Sequence, residues 1–151
     1  MKYLGRAMMA GFIATLVLSA LMVMKAMMGI MPGLDLPRMI AGMMGRPDTP
    51  AVGWLVHFMI GTVGYGAALA LLDDHLPGNS HVVHGILLAI GGWRIMMVML
   101  MPMAGAGFFG MTMGIMAPMM TLVLHLIFGA VLGWYYKQAI DRARPAAMSH
   151  G

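Results

Sequence analysis

The chain has 151 residues, 61% of them hydrophobic and only 9% charged, with a formal net charge of +4. A soluble domain carries roughly 25% charged residues, so too few charges are present to cover a water-facing globule. The lack of cysteine excludes disulfides, thiolate metal sites, c-type haem attachment and lipoprotein anchoring together.

Three long runs, 7–24, 51–72 and 95–136, contain no Asp, Glu, Lys or Arg. A helix needs about 20 apolar residues to cross a bilayer. The first two runs each fit one crossing, and the third fits the end of one span, a Gly-rich turn and another whole span. The prediction is an all-α integral membrane four-helix bundle forming a single domain over 1–140, with a polar tail over 141–151. Expected spans are 7–31, 51–72, 84–101 and 112–136.

In chain order, the first apolar core is longer than a signal-peptide core of about 7–15 residues, and no small-x-small cleavage site follows it. A retained first helix is expected, with Lys25 near its far end. The connection MPGLDLPRMIAGMMGRPDTP follows. Its segment LPRMIAGMMG is apolar and led by Pro37, which predicts a short interfacial helix. The second span holds His57 within PAVGWLVHFMIG, and DDHLPGNSH then forms a polar turn. The third span carries Arg94 about two turns from Met101. The charge-free connection PMAGAGFFGM needs protein to shelter its backbone if it dips into the interface. The fourth span contains APMMTLVLHLIFG, with His125.

Orientation follows the basic residues. Lys2 and Arg6 precede the first span, while Lys137, Arg142 and Arg144 follow the fourth. An even number of crossings puts both ends on one side, so five of the nine basic residues favour cytoplasmic termini. Arg38 and Arg46 argue the other way. Trp54, Trp134, Tyr135 and Tyr136 lie near expected span ends, as interfacial aromatics do. The expected location is the inner, plasma membrane, with the lipid bilayer as the first partner.

Pro50, His57 and Gly61 recur as Pro118, His125 and Gly129, sixty-eight residues on. Lys25 likewise pairs with Arg94, and Met31-Pro32 with Met101-Pro102. The halves therefore read as two tandem two-span units in parallel orientation. Chance alignment of low-complexity apolar sequence is the competing explanation.

Residues three and four positions apart share a helix face. On that face His57 has Gly53, Gly61 and Gly64 near it, and His125 has Thr121 and Gly129. Small residues let membrane helices approach closely, so both rings are expected inside the bundle. Lys25 and Arg94 are expected near them, around the symmetry axis. Ionisable residues inside a membrane point to function. The plainer alternative for each His is a neutral core residue donating to a carbonyl, and for Lys25 or Arg94 a side chain snorkelling to the headgroups.

As a functional cluster these residues suit three ligands. One is haem b, with His57 and His125 as axial ligands. Another is Cu(I), given imidazoles and 23 methionines. The third is an anionic molecule or headgroup held by Lys25 and Arg94. The series Met97/Met99/Met101/Met103 turns about 200° per step, so it spreads around its helix, and most Met here read as lipid-facing or gap-filling. Asp73, Asp74, His75, His81 and His84 form a separate group that suits a divalent metal such as Zn, or equally a solvated polar cap.

No Gly-x-Ser-x-Gly, P-loop or His-Glu-x-x-His is present, and Glu is absent altogether. Asp35, Asp48, Asp73, Asp74 and Asp141 all fall outside the expected spans, which disfavours paired-carboxylate catalysis. The basic balance fits anionic lipid better than nucleic acid.

The stretches AGFIATLVLSALMVMKAMMGIMPGLDL, IAGMMG and PAVGWLVHFMIGTVGYG, with the fourth-span pattern, resemble an uncharacterised family of small bacterial inner-membrane proteins. That resemblance implies four spans, and it carries over no activity and no catalytic residues. The expected function is thus non-enzymatic: an accessory subunit or small-ligand binding bundle, alone, as a homo-oligomer or within a larger membrane complex. The alternatives are a haem or copper protein using His57 and His125, and third a small transporter component acting as an oligomer.

Overall fold

The computed structural model describes residues 3–143. Lys2, Arg144, His150 and most of the expected 141–151 tail lie outside the described residues. Among the described residues, four helices are long and apolar enough to cross a membrane: α1 (Leu4–Met27), α3 (Pro50–Leu72), α4 (His81–Met103) and α5 (Met116–Asp141). A short helix, α2 (Leu36–Met43), lies in the first connection, and a 3-10 stretch (Phe108–Met113) lies in the third. The chain is an all-helical four-span bundle, and its helices make it a multi-pass membrane protein. Large apolar side chains such as Leu55, Ile95 and Val123 point outward, as lipid contact requires.

Local sequence sets the helix ends. The Asp35 carboxylate accepts from the Arg38 backbone N–H at 3.1 Å, capping α2, and prolines stand in the first turns of α2 and α3. The first helix stops at Met27, four residues before the expected end at Met31. There Gly29 and Met31 take left-handed φ values of 67° and 47°, which reverse the chain. The fourth begins at Met116, four residues later than expected, because 108–113 is wound as 3-10 and Gly114 has φ 91°.

Small residues set the packing. Ala7, Ala10, Gly11 and Ala14 of α1 are fully buried. A Cβ on Gly11 would overlap the Gly61 carbonyl of α3, and one on Gly66 would press on the Met8 backbone. On the other side of the bundle, Gly85 of α4 meets Gly129 and Gly133 of α5 backbone to backbone. Each His-x3-Gly glycine is thus a contact with the preceding span: Gly61 with Thr15, and Gly129 with Gly85, Ile86 and Ala89. The helices α1 and α5 also pack together, while α3 and α4 approach chiefly where 66–72 faces 81–95. A second, methionine-rich core of Leu34, Met96, Met97, Met101 and Ala106 closes the end of the bundle carrying the two long connections.

Two segments widen into π-helix, Ile60–Tyr65 in α3 and Met96–Leu100 in α4. Such turns are rare and are frequent at functional sites.

Candidate functional site

The sparse contact between α3 and α4 leaves an apolar groove of about 630 Å³. This size lies within the roughly 300–1,000 Å³ range of small-molecule pockets. Along α4 it runs from Leu87 to Met103, about 24 Å at 1.5 Å per residue. Both π segments contribute to its walls, through Ile60, Gly61, Gly64 and Tyr65 on one side and Met96, Met99 and Leu100 on the other. Gly64 and Gly91 leave open space there, since a Cβ on Gly91 would meet nothing within 4 Å.

His57 and His125 both line this groove, with Thr15 and Tyr65 as the other polar side chains. His57 is 7% exposed, and its Nε2 is buried with no hydrogen-bond partner. Its ring stands edge-on to Trp54 at 5.8 Å and to Phe58 at 6.0 Å, which fixes its plane. The Nδ1–H of His125 donates to the Thr121 carbonyl at 2.8 Å. In the neutral ring this leaves Nε2 as a lone pair, the arrangement that orients ligating histidines. Thr121 in turn accepts from the indole N–H of Trp93 at 3.1 Å and donates to the Ala117 carbonyl at 2.8 Å, tying α4 to α5 below the ring.

The histidines sit toward the end with the long connections, about 10–13 Å along their helices from Pro50 and Met116. To either side of them hydrocarbon predominates: Leu36, Ile40 and Met103 toward the long connections, and Ala68, Leu72 and Leu76 past Tyr65 at the other end. The groove therefore has its polar side chains, Thr15, His57, Tyr65 and His125, toward its middle and hydrocarbon walls toward each end.

Lys25 and Arg94 are not brought to the histidines. Lys25 donates to the carbonyls of Ile30, Met31 and Leu34 at 3.1, 3.1 and 2.8 Å, one for each ammonium proton. Arg94 is exposed on the outside of α4. Nor do the alternating methionines share a face: Met97 and Met101 are fully buried in the second core, while Met99 and Met103 are 58% and 69% exposed.

At the opposite end of the bundle, the turn between α3 and α4 gathers a second polar cluster. His81 Nδ1 lies 2.8 Å from Asp73 Oδ1, and His84 Nδ1 lies 2.7 Å from the same oxygen. Asp74 and His75 are exposed and outside it. The ring of Tyr136 stands edge-on to His81 at 5.4 Å, so this expected interfacial aromatic is a buried core residue. Sequence reasoning missed Tyr65 and both π segments; the Gly61, Gly64 and Gly66 run was the signal available for the one in α3, and MMVML offered none for the one in α4.

A family model, the family of unknown function DUF6789, matches residues 1–147, and the chain belongs to that family. No curated protein and no solved structure matches it.

Proposed function

We propose that this protein is a non-enzymatic membrane binding bundle that takes one amphiphilic molecule into the groove between α3 and α4. The observation that carries this is His57, a groove-lining residue whose buried Nε2 has no hydrogen-bond partner among the described residues. Leaving such an atom unpaired costs about 1–3 kcal/mol, which a ligand head group would recover. A small polar head meets His57 and His125, and an apolar tail runs toward Leu72 and Leu76. Entry is sideways from the bilayer, in the inner membrane, with both termini cytoplasmic as the basic flanks favour. The like contacts of Gly61 and Gly129 support descent of the two halves from one duplicated two-span unit.

Haem b is the second reading, favoured by His125 alone, whose backbone-held Nδ1–H leaves Nε2 for ligation.

Both are tested on one sample. The protein is purified in mild detergent, its visible spectrum is recorded oxidised and reduced, and its organic extract is analysed by mass spectrometry. One amphiphile per chain, absent from His125→Ala, is the expected result. A Soret band lost in His125→Ala would replace the amphiphile by haem. An extract matching the bulk lipid of the membrane overturns the proposal.

A further inference from the structure

We infer that Asp73, His81 and His84 form a binding site for a divalent transition-metal ion, with Zn2+ the best match. Asp73 directly follows α3, and His81 and His84 occupy the first turn of α4 on one face. The intervening turn folds back so that one ligand atom from each residue lies within 4.8 Å of the other two.

The hydrogen bonding of His84 demands a positive charge at the centre of this cluster. Its Nε2 lies 3.0 Å from the Gly78 carbonyl. A carbonyl oxygen only accepts, so Nε2 carries its hydrogen. A neutral imidazole has one N–H, which leaves a lone pair on Nδ1. That lone pair faces Asp73 Oδ1 at 2.7 Å, another group with lone pairs alone. Two acceptors do not meet at this distance unless a second proton or a metal ion joins them.

The donor set favours the metal. Two imidazole nitrogens and one carboxylate oxygen are a common three-residue set for Zn2+, with a fourth position left for water or another oxygen. The Gly78 carbonyl supplies the outer partner that holds a ligating ring in its tautomer. Asp73 is 9% exposed and His84 4% exposed, so bulk water contributes little to balancing the carboxylate. His81 keeps 25% of its side chain exposed and gives the ion a way in. Bonds of about 2.0–2.1 Å in a tetrahedral shell separate ligand atoms by about 3.3 Å. The two imidazole-to-carboxylate distances therefore open by about half an ångström on binding, which side-chain rotation at His81 and Asp73 would supply. Leu72 and Leu76 stand on either side of Asp73 and line the groove, so the ion would pin the groove's far lip.

The test uses the full chain in detergent, freed of metal with a chelator and titrated with Zn2+ alone by calorimetry. One Zn2+ per chain at micromolar affinity or tighter is expected. His81→Ala and Asp73→Asn should weaken it at least 100-fold, and His75→Ala should leave it unchanged. X-ray absorption of the unmutated zinc-loaded protein, which needs no variant to fold, should show two imidazoles and oxygen. No saturable binding, binding indifferent to His81→Ala, or a zinc spectrum without imidazole would each overturn the site and leave a proton as the bridging charge. Amphiphile retention is read separately from the extract, so failure here leaves the groove proposal standing.

Discussion

Lys25 shows how a single charge is housed at the end of an apolar helix. Its three carbonyl partners all belong to the chain reversal after α1, where Met31 is held at φ 47°. A left-handed conformation costs a non-glycine residue about 1–2 kcal/mol, and the ammonium offsets that cost by satisfying the Ile30 and Leu34 carbonyls and adding a second bond to the Met31 carbonyl, which also accepts from the Leu34 N–H. Lys25→Met should therefore lower stability by about 2–3 kcal/mol, because charge-assisted bonds are lost while the strain stays. Thermal unfolding in detergent measures this, and the ligand content of the folded fraction should not change. Retained stability would return Lys25 to a ligand-binding role. From sequence, Lys25 reads as a snorkelling or ligand-binding cation, since its acceptors appear only once the chain has turned back on itself. Arg94, expected beside the histidines, was no more legible. It follows Gly85 by nine positions, and at about 100° per residue this places it about 180° from the Gly85 seam with α5, a seam that only the packed helices reveal.

Helices in this bundle divide into tight seams and one loose one, and glycine serves both. Gly85 lies against the Gly129 carbonyl and the Gly133 backbone, whose nitrogen a Cβ would approach to 2.7 Å. Backbone cannot rotate away as a side chain can. Gly85→Ala should therefore force α4 from α5 and cost about 1–3 kcal/mol, as overpacking does. Gly91 is six residues further along the same helix, facing open space. Gly91→Ala should instead gain up to about 1 kcal/mol from helix propensity. Melting both variants under identical conditions separates the two cases; equal effects would mean that α4 packs in another register. The charge-free runs made the four spans readable, because crossing a bilayer is a property of one segment. Which glycine is a seam and which is a groove wall depends on the partner helix, so Gly85 and Gly91 look alike in the sequence. The ends at Met27 and Met116 escaped for a related reason: in apolar sequence, left-handed φ at Met31 and a 3-10 turn after Gly107 leave no break in hydropathy.

At the scale of the whole molecule, α1 with α3 and α4 with α5 form two pairs joined along the α1–α5 contact. The groove opens on the other side, where little direct packing holds α3 to α4. On the proposed function, an amphiphile in the groove would form part of what spaces the two pairs, and Tyr65 is a protein group crossing that space, with its ring against Phe128 at 4.8 Å and its hydroxyl over Gly92. Filling the groove from within should substitute for a ligand. Gly91→Phe places an aromatic ring in the open volume of the groove that His57 and His125 also line, without touching a seam. The variant should fold and melt at or above the temperature of the ligand-free parent. The parent should gain stability from its amphiphile, about 2.7 kcal/mol at a hundredfold excess over Kd, and the variant should gain none. A melting shift that persists in Gly91→Phe would place the ligand elsewhere on the protein. A variant that unfolds would show that the groove closes in the native state and is not a binding site. The chain's lack of cysteine also permits a direct check on spacing, since single thiols added to α3 and α4 report their separation with no background label. That separation should match the ligand-bound parent in Gly91→Phe and narrow in the parent once the amphiphile is removed.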